Sequence, residues 1–302
     1  MHHGISTVDR AGAIGDLDAL HRLLDDAAAA DGRYPLSDHL RLELAHGGGP
    51  GFAAITVSEG DRLAGYAQLA TINGTRNIEL TVDPAHRADP SIGRRLLATA
   101  IDLVAHDGGG PVQWWAFEAA AADAELAAAS GLSMTRELLQ MRVALPIDRA
   151  VDVRTRPFEP GRDEDAFLAV NNRAFATHPE QGGWTRDTVR QREDEAWFDP
   201  AGFLLHERDG RLAAFCWTKV HRDESPVLGE IYVIAVDPDF QGLGLGNQLT
   251  LAGLASIAAR GVTVGMLYVD GGNTAAVTMY EHLGFHVHRT DLAFTADIAS
   301  AR

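Results

Sequence analysis

The feature that most constrains the fold of this sequence is an internal repeat of about half its length. Asp83-Pro84 and Asp237-Pro238 each follow an apolar strand pattern and precede a helix pattern, and they lie 154 residues apart. Gly131-Leu132 and Gly284-Phe285 each follow a helix pattern and lie 153 residues apart. Two matching offsets at separate points predict a tandem duplication. The chain is therefore expected to fold as two copies of one architecture.

Each half has the same predicted order of elements. The first half predicts helices near 16–30 and 36–45, strands near 52–58, 62–71 and 76–82, a helix near 91–106, a strand near 111–116, a helix near 122–130 and a strand near 134–144. The order recurs from about residue 151, and the pattern breaks around Pro146. We therefore expect an α/β (α+β) fold with domains at 1–148 and 149–302, each a mixed, mainly antiparallel sheet flanked by helices.

Composition excludes several classes of protein. A formal net charge of −16 over 302 residues would repel the phosphates of nucleic acid. The sequence has neither an apolar run of 18 residues nor a basic start before an apolar segment, so we expect a cytoplasmic protein outside membranes. We also expect the protein to be a monomer. The 13 histidines are scattered and Cys216 is the single cysteine, in an apolar segment, so we expect no metal site and a buried Cys216.

A glycine-rich turn follows the second Asp-Pro. Gln241-Gly242-Leu243-Gly244-Leu245-Gly246-Asn247 lies between a strand pattern and an apolar helix pattern. Backbone N–H groups at such a helix start can bind a pyrophosphate, and glycine adopts the backbone angles that the turn needs. Glycine-rich helix starts also occur purely for packing. The turn lacks the third glycine and the downstream acid of a Rossmann fingerprint. It also lacks the lysine of a Walker loop.

Two further signatures lie downstream of this turn, at Asn273 and Tyr280 and at Leu283-Gly284-Phe285. Together with Asp237-Pro238 and the glycine turn, they resemble the GNAT superfamily of acetyl-CoA-dependent N-acetyltransferases. The resemblance implies acetyl-CoA as co-substrate, small-molecule partners and no metal.

The first half differs from the second at the positions that matter for this chemistry. Its turn has Pro90, which brings no N–H to a phosphate, where the superfamily has its first glycine. Ala127 occupies the position that matches Tyr280. The sequence thus predicts a catalytic C-terminal half and a degenerate N-terminal half. A second acetyl-CoA site in the first half stays open, and its residues would be Leu80, Thr81, Val82, Arg87 and Gly93.

Four residues of the second half are candidates for catalysis or binding, and each has a structural alternative. Glu230 lies in an otherwise apolar strand and is either an outward-facing acid or a general base. Tyr280 is either a core aromatic or, from the superfamily resemblance, the acid that protonates the departing sulfur. Lys219 is a substrate contact or an exposed charge at a strand end, and Tyr268 is a substrate contact or a core residue.

A closer resemblance rests on five runs of residues: Val170-Asn171-Asn172, His178 to Trp184, Glu195 to Pro200, Trp217-Thr218-Lys219-Val220-His221 and Leu267-Tyr268-Val269. These runs are similar to the mycothiol synthase family, tandem GNAT proteins with a catalytic C-terminal domain. The family transfers acetyl from acetyl-CoA to the cysteinyl amine of Cys-GlcN-inositol (desacetylmycothiol).

The resemblance also implies roles for individual residues. Glu230 would be the base and Tyr280 the acid. The residues implied to contact the pseudo-disaccharide are Glu180, Lys219, Glu230 and Tyr268, with Asp38 as a weaker match. The residues implied to bind acetyl-CoA are Ile234, Ala235, Val236, Gln241, Gly242, Leu243, Gly244, Leu245, Gly246, Asn247, Asn273, Thr274, Ala275, Ala276, Val277 and Thr278.

One departure from the family pattern concerns the glycine turn, because Gly242 and Leu243 stand where arginines are common. This predicts weaker binding of acetyl-CoA. Two other functions stay open: a GNAT enzyme that acetylates another amino-sugar or an aminoglycoside, and a non-catalytic acetyl-CoA-binding protein.

Overall fold

The computed structural model of the chain describes residues 3–9, 13–49, 51–176, 181–222 and 224–301, without the side chains of residues 3 and 38. It forms two compact units, residues 1–138 with 290–302, and residues 139–289. The units differ from the predicted division at residue 148, because β6 (Ser133–Ala144) enters the second unit at Leu139 and β12 (His286–Ile298) enters the first at Thr290. Sequence patterns locate strands but do not say which sheet a strand joins.

The first unit has a sheet with helices on both faces. Its elements are β1 (His3–Val8), α1 (Leu17–Asp31), α2 (Asp38–Ala45), β2 (Ala53–Glu59), β3 (Arg62–Ile72), β4 (Thr75–Val82), α3 (Pro90–His106), β5 (Gly110–Ala116) and α4 (Ala121–Ala129). Strands β1 to β4 pair antiparallel in order, β4 pairs parallel to β5, and β5 pairs antiparallel to the end of β12. Leu24 of α1 and Leu40 of α2 pack with Tyr66 on one face, and Leu96 of α3 packs with Ile78 on the other.

Strand β1 was not expected from the sequence. Its residues between His3 and Val8 are exposed or only partly covered, and they alternate poorly between apolar and polar. An edge strand paired only to β2 buries too little apolar surface to leave a period-2 pattern in the sequence.

The second unit repeats this architecture. Its elements after β6 are β7 (Arg156–Pro157), α5 (Glu164–Ala174), α6 (Arg186–Glu193), β8 (Phe203–Arg208), β9 (Arg211–His221), β10 (Leu228–Val236), α7 (Leu245–Ala258), β11 (Val264–Asp270) and α8 (Thr274–His282). Strands β7 to β10 pair antiparallel, and β10 pairs parallel to β11. The predicted fold class, a mixed and mainly antiparallel sheet with helices in each copy, is confirmed.

The two faces of the second sheet have different cores. One face packs Leu249 of α7 and Leu283 after α8 against Ile231 of β10. The other face holds an aromatic cluster in which Phe167 of α5 contacts Phe203 and Trp217, the latter two stacked with ring centroids 4.4 Å apart. No helix in the described part of the chain is long and apolar enough to span a bilayer.

Candidate active site

A β-bulge lies in the middle of β10. The register between β9 and β10 shifts between Ile231 and Val233, so that Tyr232 is the extra residue. The parallel pairing with β11 runs from Leu228 to Ile231 and, among the described residues, goes no further, although β10 extends to Val236. The bulge therefore coincides with the point where two parallel strands separate, as bulges often do beside functional sites.

The separated end of β10 presents main-chain groups on its open side. The N–H of Asp237 donates to the carbonyl of Ala213 on β9 at 2.9 Å, so the backbone groups of every second residue, Ala235 and Val233, face β9. The N–H and C=O groups of Ile234 and Val236 therefore face the side where β11 has diverged. These groups can hydrogen-bond to a ligand that lies between the two strands.

The glycine turn leads from β10 to an uncapped helix start. Gly242 and Gly244 have φ of 77° and 74°, a left-handed backbone that favours glycine. Gly244 is the N-cap of α7, and no side chain in the described part of the chain caps this helix, so its first-turn N–H groups, beginning at Leu245, have no partner from a cap. Residues 241–244 are exposed. The turn thus combines free N–H donors with the positive end of a helix, which suits an anion.

Helix α8 begins beside the same edge of the sheet, because it follows β11, the parallel neighbour of β10. Its N-cap Asn273 accepts a hydrogen bond from the N–H of Ala276 at 3.2 Å. Thr274, Ala275 and Thr278 are exposed, and Ala276 and Val277 are partly covered. All the segments that the resemblance assigns to acetyl-CoA in the second unit therefore begin or end at this edge.

Glu230 is a buried acid immediately before the bulge. Gly229 and Ile231 approach Ile257 and Gly253 of α7, so by alternation Glu230 points to the opposite face of the sheet. It is 7% exposed, and its Oε2 lies 2.7 Å from Nε2 of His221. The structural alternative of an outward-facing solvated acid is wrong, since the carboxylate is buried and paired.

Lys219 and Tyr268 lie on the same face as Glu230. Lys219 is directly opposite Glu230 on β9, and Tyr268 lies two residues beyond Met266, the partner of Glu230 on β11. Nζ of Lys219 lies 4.8 Å from the ring centroid of Trp197. Three residues predicted from the sequence thus line one face across three adjacent strands.

The hydroxyl of Tyr268 is held from two sides. It accepts hydrogen bonds from Nε2 of Gln140 at 2.8 Å and from a guanidinium nitrogen of Arg289 at 2.7 Å. Tyr268 is 37% exposed, so it does not fill the core. These two contacts fix the position of the Tyr268 hydroxyl at the exposed side of the sheet face that carries Glu230.

Tyr280 lies on the α7 face, opposite Glu230. It is 6% exposed, packs with Leu245 and Phe285, and among the described residues its hydroxyl has no hydrogen-bond partner. Burial, with a smaller contribution from the Cys216 thiol, raises the pKa of Tyr280 above its ordinary value. The phenol therefore keeps its proton throughout the physiological range, so Tyr280 can donate that proton but cannot act as a phenolate base.

Cys216 is a buried strand residue, as expected. Burial raises the pKa of its thiol to about 12, so it stays protonated and unreactive. Within the described residues no cluster of three or more His, Cys, Asp or Glu side chains could hold a metal ion.

Two predicted substrate residues cannot be placed. Glu180 lies outside the described residues, and so does the side chain of Asp38, whose backbone begins α2. Three residues near the site were not singled out from the sequence: His221, Gln140 and Arg289. His221 stands at a strand end, where a charged or polar side chain is usually solvated. Gln140 and Arg289 contact Tyr268, but both lie far from it in sequence.

The first unit lacks the corresponding arrangement. The parallel pairs Asn77 with Gln113 and Glu230 with Met266 are both the penultimate pair of their ladders, so Asn77 stands where the second unit has its acid. An amide cannot take a proton from an amine at neutral pH. The pairing of β3 with β4 is continuous from Gly65 to Ile72, with no bulge.

The helix start of the first unit is also different. Asp89 caps α3, and its carboxylate accepts a hydrogen bond from Ser91 N–H at 2.9 Å, with Pro90 in the first turn. The guanidinium of Arg87 is paired with Asp31 at 2.6 Å. Leu80 and Val82 face the α3 core, Thr81 is buried and Gly93 lies inside α3. A carboxylate thus occupies the place that a phosphate takes in a nucleotide-binding turn.

The chain is similar in sequence to known proteins over most of its length. Residues 169–285 match the model of the acetyltransferase (GNAT) family. The chain is 46% identical over 289 residues to mycothiol acetyltransferase of Thermobispora bispora, covering 93% of this chain and 96% of the relative.

Two solved structures share the fold. A GCN5-related N-acetyltransferase from Sphaerobacter thermophilus superposes with a TM-score of 0.72 at 21% identity, over 94% of this chain and 93% of the other. A tandem GNAT protein from the clavulanic acid biosynthesis pathway gives 0.69 at 19% identity and covers 100% of both chains. From its sequence similarity over nearly its whole length, this chain belongs to the mycothiol acetyltransferase family of acetyl-CoA-dependent GNAT N-acetyltransferases.

Proposed function

We propose that this chain transfers the acetyl group of acetyl-CoA to the cysteinyl amine of Cys-GlcN-inositol and forms mycothiol and CoA. The observation that carries the proposal is the separation of β10 from β11, with Glu230 on one face of the sheet and Tyr280 on the other. A thioester lying between the strands would have a base on the side of the amine and an acid on the side of the sulfur.

In this proposal the second unit binds acetyl-CoA. The pyrophosphate lies against the N–H groups of residues 241–247, and the pantetheine follows the open backbone of Ile234 to Val236. Residues 273–278 line the remainder of the cofactor. The N–H of Ile234 faces the gap nearest to Glu230, which makes it the donor to the thioester oxygen as negative charge develops there.

Glu230 acts as the general base of the proposed reaction. An α-amine with a pKa of about 7.7 is roughly one-sixth neutral at pH 7, so the reactive form of the substrate is not scarce. Glu230 removes the amine proton as the nitrogen attacks, and its buried position keeps the carboxylate in one place. The larger contribution of Glu230 is therefore proposed to be positioning.

Tyr280 acts as the general acid. Its phenol donates a proton to the sulfur as the C–S bond breaks, so CoA leaves as the thiol. A thiol has a pKa of about 8.5 and a phenol one of about 10 in water, and burial widens this difference. Transfer after the bond has broken would be uphill by more than about 2 kcal/mol. Proton transfer is therefore coupled to departure of the sulfur.

The substrate lies on the Glu230 face. Lys219 and Tyr268 flank Glu230 and are proposed to contact the hydroxyl groups of the pseudo-disaccharide part of the substrate. Glu180 and Asp38 are proposed as further contacts from the family resemblance. The first unit is proposed to be non-catalytic, because Asn77 replaces the acid and Asp89 caps its turn. The enzyme is proposed to work as a cytoplasmic monomer.

A direct assay tests the proposal. CoA release should be measured with Cys-GlcN-inositol and, in parallel, with a panel of aminoglycosides and amino-sugars. We expect kcat/KM for Cys-GlcN-inositol to exceed that for every other amine by at least about 100-fold, because a site that hydrogen-bonds its substrate rejects analogues that leave its polar groups unpaired. A higher value for an aminoglycoside would reassign the substrate, and no release with any amine would favour a non-catalytic acetyl-CoA-binding protein.

A further inference from the structure

The residue next to the proposed base has an assignable role of its own. We propose that His221 is a positioning residue: its Nε2–H donates to Oε2 of Glu230 and holds the carboxylate with Oε1 directed at the substrate amine. The inference rests on the proposed function, because it needs Glu230 to act as the base.

The register of the sheet makes this contact possible. Leu228 pairs with His221 and Glu230 pairs with Lys219, so His221 is the diagonal neighbour of Glu230 on the same face. Long side chains reach each other across such a diagonal. The two heavy atoms are 2.7 Å apart, which is the length of a charge-assisted hydrogen bond. An ionised carboxylate can only accept, so the imidazole is the donor.

This hydrogen bond leaves one carboxylate oxygen for chemistry. Among the described residues Oε2 of Glu230 has His221 as its partner, and Oε1 has none. A glutamate side chain has three rotatable bonds, and a bond to one oxygen fixes the direction of the other. The side chain of Glu230 is 10% exposed and that of His221 is 20% exposed, so the pair lies in a largely dry environment where such a bond is strong.

The imidazole also keeps the Glu230 carboxylate from pairing with the cation directly opposite it. Lys219 is directly opposite Glu230, yet its Nζ lies over Trp197 at 4.8 Å and Tyr232 at 5.8 Å from the ring centroids. Without His221 the carboxylate would be free to turn and pair with this ammonium group. A carboxylate that turned toward Lys219 would no longer hold Oε1 in the direction that the His221 contact fixes.

The test uses three substitutions at this position. His221→Ala removes the donor, His221→Asn keeps a polar side chain that is too short to reach Oε2, and His221→Gln keeps an amide N–H at nearly the original reach. His206→Ala is the matched control, because His206 also hydrogen-bonds through a ring nitrogen, to the Arg154 carbonyl at 2.9 Å, on the neighbouring strand β8. Thermal unfolding checks that each variant is folded.

We expect kcat to fall by about 10- to 100-fold in His221→Ala and His221→Asn, the cost of a lost hydrogen bond to a charged group. The KM for acetyl-CoA should stay within about twofold of wild type, and His221→Gln should recover kcat to within about threefold. His206→Ala should match wild type. If His221→Ala is unstable, the kcat of His221→Asn is compared with that of His221→Gln. These variants differ by one methylene, so the comparison still tests whether a donor must reach Oε2 of Glu230.

A double-mutant cycle separates positioning from general structural support. If His221 acts through Glu230, His221→Ala should cost nothing further in a Glu230→Gln background. A further tenfold loss there, or a kcat for His221→Ala within twofold of wild type, would overturn the inference. If wild-type enzyme fails to acetylate Cys-GlcN-inositol, the proposed substrate is wrong. If it succeeds and Glu230→Gln is fully active, the base assignment and this inference fall together.

Discussion

Replacing Leu243 by arginine should tighten acetyl-CoA binding. Leu243 lies in the glycine turn, is 51% exposed and lies between two left-handed glycines. Its own backbone is not left-handed, so arginine can replace it without strain. Asp239, a neighbouring acid, already pairs with Arg173 at 3.0 Å and Arg211 at 2.8 Å. An arginine at 243 would therefore meet no unpaired acid there and would be free for the cofactor phosphates.

The size of the effect follows from the exposure of the turn. One charge about 5 Å from another in water gives about 0.8 kcal/mol, and a pyrophosphate offers two charges at unequal distances. The sum is about 1 to 1.5 kcal/mol at low salt, equivalent to a Kd about 5- to 10-fold lower. The Debye length shortens from about 30 Å at 0.01 M to about 3 Å at 1 M salt, so most of the gain should vanish in high salt.

Isothermal titration calorimetry with acetyl-CoA at about 0.02 M and about 1 M salt measures this gain in affinity. Leu243→Gln separates loss of the apolar side chain from gain of charge. Val287→Arg is the matched charge control, since Val287 is 46% exposed in the same unit but outside the turn. An unchanged Kd for Leu243→Arg, or an equal gain for Val287→Arg, would refute the idea that the turn binds the phosphates.

Three further predictions concern buried titratable groups. Glu230→Gln should lower kcat by about 10²- to 10⁴-fold at pH 7 and by less at pH 9, where the amine is already neutral; an equal loss at both pH values would contradict a base role. Tyr280→Phe should lower kcat without raising the KM for acetyl-CoA. Because the pKa of Tyr280 is raised, ionisation of this phenol should not lower wild-type activity below about pH 10. A loss of activity near about pH 9 that depends on Tyr280 would contradict this. Burial raises the pKa of Glu79, so the stability it contributes is complete below about pH 4.3 and is lost as the pH rises through the folded pKa. Glu79→Gln should therefore unfold at higher urea than wild type at pH 7 but not at pH 4, and equal midpoints at pH 7 would refute the assignment.

Much of the fold could be predicted because its signals are local and repeated. Each helix and central strand buries one face, so apolar residues recur at regular spacing along the sequence. Asp-Pro marks the same turn in both halves. Strand β1 left no such signal, because its two faces are similarly exposed. The assignment of β6 and β12 to the two units depends on pairing between residues far apart in sequence, as between Leu292 and Ala116, which no local pattern records.

The site could be predicted only as far as the residue types and the family resemblance allowed. Glu230 was noticeable because an acid in an apolar strand is costly, and Gly244 because of its place before a helix. The pairing of Glu230 with His221 depends on the antiparallel register, and that register depends on the bulge at Tyr232. A bulge of this kind has no glycine or proline to mark it.

The bulge also explains why Glu79 and Glu230 have different roles, although each lies in the same strand of its unit. Glu79 of the first unit faces Gln68 in an unbroken ladder, is 3% exposed, and accepts a hydrogen bond from Ser37 N–H at 2.7 Å, so it connects a sheet to the start of a helix. Glu230 precedes a shift in register after which its strand leaves β11. The same residue type in the same strand of each copy is therefore structural where the ladder is continuous and available for chemistry where it opens. On this reasoning, an acid at position 77 alone would not make the first unit catalytic, because β4 lacks the bulge beside it.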